Sequence, residues 1–368
     1  MTTDTSHGRA MTETAEQRAL ADAVRGLVAR ELAGARAGDP SLWRRLCAEI
    51  GVAGLAVPER FGGAGAGAVE VHAVQFELGR VLACTPMLGS AVLATQALLA
   101  SQDEAACARL LPALAAGTGV AALAWTTAAG HWDPAAVACR AAPAPGGDWS
   151  IDGEAHYVLD ADAATVLLVP AMMAGEVGLF EVHPGLPEVT VSRGVTMDET
   201  RRLAGVRLER ARGRRIGGRC ELARVRDLGC IALAAEQAGA AARALELTVE
   251  YTRTRVQFGR PIGSFQALAH RMADLHVLVT SAASLARAAA QAAARGEPGL
   301  GLRAAAAKAY CSEALQQVAG EMLQLHGAIA MTWEHDAHLY FKRAHGAAML
   351  LGPPAEHVAR IAAAVIDG

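Results

Sequence analysis

A chain of 368 residues is long enough for two or three domains with well-buried cores. It is 52% hydrophobic but only 4% aromatic, which suits closely packed Ala-rich helices, and its formal charge of −3 offers no basic field for nucleic acid or an anionic membrane. The seven cysteines stand singly with no CxxC pair, and neither an apolar leader nor an apolar run of membrane-spanning length is present, a pattern that predicts reduced thiols, no membrane span and a cytoplasmic setting.

Behind a short polar leader, Thr14 and Gln17 stand at capping-box spacing ahead of Leu20, Val24, Leu27, Val28 and Leu32, which share one helical face. Further Ala/Leu-rich helical stretches, broken by a glycine-rich loop between Pro58 and Val69, complete a helical domain over residues 11–118. That loop follows no strand and lacks the GxGxxG spacing, so no phosphate cradle is expected there. From Val120 the pattern changes to short β-type runs: "VAALAW", "WSIDGEAHYVL", "ATVLLVPA", "GLFEVHP", "EVTVSRG" and "RLAGVRLERA". Divided by Gly, Pro and Asp turns, they predict a small antiparallel barrel or sandwich over residues 119–219. In the Arg-rich run from Arg201 to Arg219, alternation puts Leu203, Val206 and Leu208 near one face, the mark of a solvated strand rather than a basic patch.

Helices return from about Leu228, first through "ALAAEQAGAAARALELTVEYTRTR". A second follows Gln266 and ends at "RGEPGLG"; a third carries Leu315, Val318, Met322 and Leu325 and stops at Gly327; a last segment contains "TWEHDAHLYFKRAHG". The layout is α, then β, then α, an α+β chain whose last domain covers residues 225–368.

Two segments of that domain carry candidate chemistry. "RVQFGRPIGSFQ" interrupts a good helix: Arg255 offers a planar fork suited to phosphate, Phe258 a flat face for a ring, and Gly259 and Gly263 allow close backbone approach. "QLHGAIA" places Gln324 and Gly327 at another helix end, where free N–H groups favour anions. Taken singly, each also reads as a plain helix turn. His335, Asp336 and His338, with His345 farther on, have metal-like spacing, but zinc recruits three or four convergent ligands and no metal is expected.

In order and spacing these segments resemble the acyl-CoA dehydrogenase family across essentially the whole chain. "RVQFGRPIGSFQALAHRMADL" is similar to its Arg-x-x-Phe-Gly…Phe-Gln signature, "QLHGAIAMTWEHDAHLYFKRA" to its Gln-x-x-Gly-Gly-x-Gly segment, and "VPERFGGAGAGAVEVHAVQFELGR" to its N-terminal loop. The resemblance implies an N-terminal α-helical domain, a middle antiparallel β-barrel and a C-terminal four-helix bundle, assembled as a tetramer with FAD bound between subunits. It implies that Arg255, Phe258, Gln266, Gln324 and Gly327 hold the ADP end of a neighbour's flavin, with Thr126 as a hydroxyl available to the ring. An acyl-CoA substrate, oxidised at its Cα–Cβ bond with a Glu as base, and an electron-transfer acceptor protein are implied as well.

The departures are uneven. Leu351 stands where most of the family has the catalytic Glu, and Gly229 where a minority has it. Asp227, Glu236 and Glu334 are the remaining acids to consider; Glu236 lies two helical turns beyond Gly229, a place better suited to an ion pair. "AWTTAAGHWDP" and "YVLDADAA" replace the ring-binding signatures, with Tyr157 and Leu159 where Trp and Thr are expected, and Ala328 and Ala330 replace glycines, costly wherever φ is positive. The ADP-holding residues persist while the base and ring pocket do not. This asymmetry resembles the smaller, base-lacking subunit of actinobacterial paired-subunit α2β2 acyl-CoA dehydrogenases, which implies a Glu-bearing partner subunit. Two alternatives stay open: a self-sufficient homotetrameric dehydrogenase with a displaced acid, and a flavin-free acyl-CoA-binding or scaffold protein.

Overall fold

The computed structural model describes residues 13–32, 40–218 and 220–366; residues 11–12, Arg219, 367–368 and the side chain of Leu32 lie outside them. Helix α1 (Ala15–Leu32) opens on a reciprocal cap: the Thr14 N–H donates to Gln17 Oε1 at 3.1 Å and the Gln17 N–H to Thr14 Oγ1 at 3.2 Å. Its apolar face buries Val24, Leu27 and Val28. After α2 (Pro40–Arg45) and the glycine-rich loop, α3 (Ala68–Arg80) starts where the Gly67 N–H donates to the Glu70 carboxylate at 2.9 Å. A π-helical stretch, Met87–Ala94, runs into α4 (Thr95–Ser101), and α5 (Glu104–Ala115) follows.

The middle of the chain folds into strands β1 (Ala121–Leu123), β2 (Cys139–Pro143), β3 (Trp149–Leu159), β4 (Val166–Met173), β5 (Glu176–Val182), β6 (Val189–Arg193) and β7 (Leu203–Ile216). The ring β4-β2-β3-β7-β5 closes on itself, because β5 pairs with β4, while β1 and β6 add to β4 and β7. Closure removes the open edges that a sheet of this size would expose. The barrel is mixed rather than wholly antiparallel: β4 pairs in parallel with both β1 and β2. Strand β2 was not expected from the sequence, yet it is the closing strand. Of its residues only Cys139 is buried, so it carries no apolar alternation to read. Along β7, Val206 and Leu208 point inward and Arg207 outward in alternation; at Glu209–Arg210, both exposed and Arg210 at φ 56°, the phase slips, so Ala211 turns inward and Arg212 outward. Arg201, just before β7, departs from the solvated reading, its side chain only 9% exposed.

The C-terminal region is a bundle of α6 (Leu222–Thr254), α7 (Gln266–Ala294) and α8 (Leu300–His326), with a fourth arm split into α9 (Ala337–Met349) and α10 (Pro354–Ile366). Helix α6 begins six residues before Leu228, where the sequence reading starts it. The expectation that no segment reaches membrane-spanning length needs correction: α7 is long and apolar enough by length and composition. It packs against α6 and α8 as a bundle helix.

Helices α3 and α6 cross backbone to backbone. A Cβ on Gly79 would fall 2.0 Å from the Glu236 carbonyl oxygen, and one on Gly239 2.0 Å from the Phe76 carbonyl oxygen. Only glycine fits at either point. The crossing joins the N-terminal helices to the bundle and sets Glu236 where bundle, barrel and N-terminal region meet.

Candidate functional site

At one end of the bundle, α6 stops at Arg255 and the chain makes a hairpin of β8 (Val256–Gln257) and β9 (Arg260–Pro261) before α7. The hairpin turn is Phe258–Gly259, with φ of 52° and 78°. A left-handed Phe is strained, and this one is 91% exposed, its ring set edge-on to Phe265 with centroids 6.1 Å apart. Arg255, Gln266 and Gln324 are exposed as well, and among the described residues Arg255 has no carboxylate partner. Tyr251, whose carbonyl accepts the Arg255 N–H at 2.8 Å, stacks on His326 with ring centroids 4.3 Å apart and donates to the His326 carbonyl at 3.3 Å. That contact ties the hairpin to Gly327, which ends α8 at φ 65°. Two sequence segments far apart in the chain thus share one exposed end. Neither Ala328 nor Ala330 takes a positive φ, so the strain expected from those alanines is absent.

The two positions where the family pattern calls for a base also meet. A Cβ on Gly229 would lie 2.5 Å from Leu93 Cδ2 and 2.9 Å from Leu351 Cδ1. Leu351 is fully buried at φ 60° in the turn between α9 and α10. Hydrocarbon fills the space that a carboxylate would need.

The turn is held by polar groups that the sequence reading missed. Buried Lys308 donates to the Ala348 carbonyl at 3.0 Å, the Gly352 carbonyl at 3.2 Å and Ser312 Oγ at 2.9 Å, using all three ammonium hydrogens. Burial pushes its ammonium down to about 8. His357 Nε2 sits 3.0 Å from the Leu351 carbonyl, which can only accept, so that nitrogen carries the hydrogen. Burial, with the nearby Lys308 and Arg360 charges, pushes the imidazole down to about 4 and keeps it neutral. Arg360 donates to His357 Nδ1 at 3.3 Å and to Asp227 at 2.8 Å. Asp227 is therefore engaged in an ion pair behind the turn.

Glu236 is engaged too. Its Oε1 accepts from Arg201 and, at 2.8 Å, from Arg343, which is almost fully buried on α9. Arg343 also donates to Thr200 Oγ1 at 2.9 Å and to the carbonyls of Thr200 and Leu82 at 2.6 and 3.2 Å, joining all three regions. Beside this cluster Asp160 is buried at φ 57°, and desolvation pushes its carboxyl up to about 7. Glu334 lies on an exposed turn away from these groups, its N–H directed to Thr332 Oγ1 at 3.3 Å. Among the described residues no three His, Cys, Asp or Glu side chains converge.

Between the barrel and α9 lies a cavity of about 380 Å³ walled by Trp132, Tyr157, Met197, Leu203, Met349 and Leu350. Asp198 and Arg201 border it; Asp198 Oδ2 faces Arg343 Nε at 3.2 Å, while Arg201 Nε is buried without a hydrogen-bond partner, an uncommon arrangement. Leu159 and Thr126 are buried but do not line the cavity. A flat ring with polar edge atoms fits this space, and the exposed bundle end fits an extended phosphate-bearing group. The residues present therefore suit the ring end and the phosphate-bearing end of a flavin dinucleotide at two separate places on the chain.

Comparison with known proteins agrees with this architecture. The acyl-CoA dehydrogenase N-terminal domain model matches residues 14–118 and the C-terminal domain model residues 227–366. Over 360 residues the chain is 40% identical to the acyl-CoA dehydrogenase IpdE2 of Mycobacterium tuberculosis, covering 95% of this chain and 98% of that one. Among solved structures, the ChsE4–ChsE5 complex from Mycobacterium tuberculosis superposes with a TM-score of 0.87 at 29% identity, over 98% of this chain and 99% of that one. A variant of the Tcur3481–Tcur3483 steroid ACAD gives a TM-score of 0.86 at 28% identity, over 96% and 98%.

Proposed function

Because the chain belongs to the acyl-CoA dehydrogenase family, we propose that it works as the base-lacking subunit of a two-chain dehydrogenase that introduces a Cα–Cβ double bond into an acyl-CoA thioester. One observation carries this reading: Leu351 and Gly229, the two places for a base, are packed against each other and against Leu93. No acid that the sequence offers as a substitute is free, since Asp227 is paired with Arg360 and Glu236 with two arginines, while Glu334 faces solvent.

The residues that persist have a use only with a second chain. Arg255 supplies a guanidinium for phosphate, strained and exposed Phe258 a face for the adenosine, and Gln266, Gln324 and Gly327 amide and backbone groups at helix ends. A flavin held there has its ring on the neighbouring subunit, whose glutamate takes the α-proton. When bound, FAD supplies the hydride acceptor; this chain binds and orients it. The similarity to the ChsE4–ChsE5 complex and to a steroid ACAD of two named chains supports a heteromeric partner, and favours a ring-bearing acyl group as substrate. An electron-transfer protein completes the cycle.

The test is to purify the full chain alone and again co-expressed with a Glu-bearing homologue, then record the flavin spectrum and its anaerobic bleaching by acyl-CoA. A chain that is unable to bleach alone, with bleachable flavin only in the complex, is the expected result. A chain that holds flavin and bleaches unaided overturns the proposal.

A further inference from the structure

We propose that the groove between α4 and the start of α6 binds a free apolar monocarboxylic acid, its tail in an inner pocket and its carboxylate on Arg224 and Gln96. Neither the surfaces suited to flavin nor a partner subunit enter into this. The inner pocket, about 270 Å³, lies between the glycine-rich loop, α3, the π-helical stretch, α6 and the end of α7. An outer groove of about 510 Å³ adjoins it, and the two share Gln96, Leu99, Arg224 and Leu228.

Alanines make the room. Ala66 in the loop, Ala91 in the π-helical stretch, Ala232 on α6 and Ala294 on α7 all line the pocket, at places where larger side chains would close it. Val71, Val92 and Ile231 add apolar wall, and none of the lining residues is acidic. A hydrocarbon tail is driven into such a space by the apolar area it removes from water. Mostly apolar walls with a few polar groups to fix orientation are the common form of a small-ligand site.

Arg224 and Gln96 are those polar groups, and they select the head group. Among the described residues neither side chain has a hydrogen-bond or ion-pair partner. Arg224 is the third residue of α6, where a positive charge opposes the helix dipole, so its place does not serve the helix. A carboxylate meets the guanidinium fork with both oxygens and can also accept from the Gln96 amide. An ammonium is repelled by Arg224, and an alcohol leaves its charge unmatched. A dianionic phosphate brings more charge than one guanidinium offsets and faces Glu221, which lines the outer groove.

Octanoate and 1-octanol, alike in tail and different in head, are the probes. Each is titrated calorimetrically into the full chain, so the readout needs neither turnover nor flavin. Octanoate is expected to bind saturably and octanol about tenfold more weakly, the equivalent of one lost hydrogen bond to a charged group. In Arg224→Gln octanoate should fall to the level of octanol, and in Ala294→Trp, which fills the pocket from its rim, both should weaken. The two substitutions fall at separate exposed positions, so if one variant fails to fold the other still decides. No saturable octanoate binding, equal binding of the two probes, or octanoate binding unchanged by either substitution would each overturn the assignment. So would a chain that ignores octanoate but self-associates in sedimentation until Ala294→Trp makes it monomeric, since the groove would then seat a second copy.

Discussion

Glu236→Gln separates a structural acid from a catalytic one. The substitution keeps the volume of a side chain that is 6% exposed and removes the charge that compensates Arg201 and Arg343. Both guanidiniums stay ionised, since arginine does not deprotonate in proteins, and Asp198, 3.2 Å from Arg343 Nε, with the more distant Asp160, is what remains to offset them. Breaking a buried pair by removing one partner costs about 3–5 kcal/mol. With an unfolding entropy of about 2.1 cal/mol/K per residue over 368 residues, a loss of about 4 kcal/mol lowers Tm by about 5 °C. The assay is differential scanning fluorimetry beside anaerobic bleaching of the assembled enzyme well below Tm. A lowered Tm with bleaching intact is expected. An unchanged Tm with bleaching abolished would refute the structural role and make Glu236 the base.

Asp160→Asn should stabilise the chain at pH 8 and leave it nearly unchanged at pH 4. The native carboxyl titrates near 7, above its unfolded value, so the native state holds its proton more tightly and stability falls as pH rises from about 4 to about 7. The gain at pH 8 is at most about 4 kcal/mol, and Asn tolerates the left-handed backbone; denaturant titrations of both proteins at the two pH values measure it. Phe258→Asn should relieve about 1 kcal/mol of backbone strain in the isolated chain while increasing flavin loss from the assembled enzyme on gel filtration. Leu351→Ala empties a fully buried site against Gly229 and should cost about 2–5 kcal/mol in urea unfolding without conferring bleaching on the isolated chain.

Local signals carried much of the fold. The Thr14–Gln17 cap, the breaks at Arg255 and Gly327, and the alternation of β3 and β7 are short-range patterns, legible because the physics acts within a few residues. Strand β2 was illegible because its neighbours, not its own side chains, make it a strand. The candidate site divided along the same line. Exposed, exceptional residues such as Arg255 and Phe258 stood out by type and spacing. The Glu236–Arg343 pair spans 107 positions, and the Lys308 bonds to the α9–α10 turn span 40 and 44, so nothing local announces them. Nothing beside the buried Lys308 or Arg343 in the sequence singles either of them out. Arg201 was hidden at the head of a run in which Arg207, Arg210, Arg212, Arg214 and Arg215 do face solvent.

The glycine crossing of α3 and α6 has a mechanical consequence. Two backbones in contact at Gly79 and Gly239 leave no side-chain layer to slide or shear, so the N-terminal helices and the bundle behave as a single girder. Arg343 rivets the barrel to that girder through Thr200. A molecule braced in this way has little capacity to open and close around a substrate. It is built to hold its surfaces at a fixed spacing, as a jig does, for whatever is assembled against them.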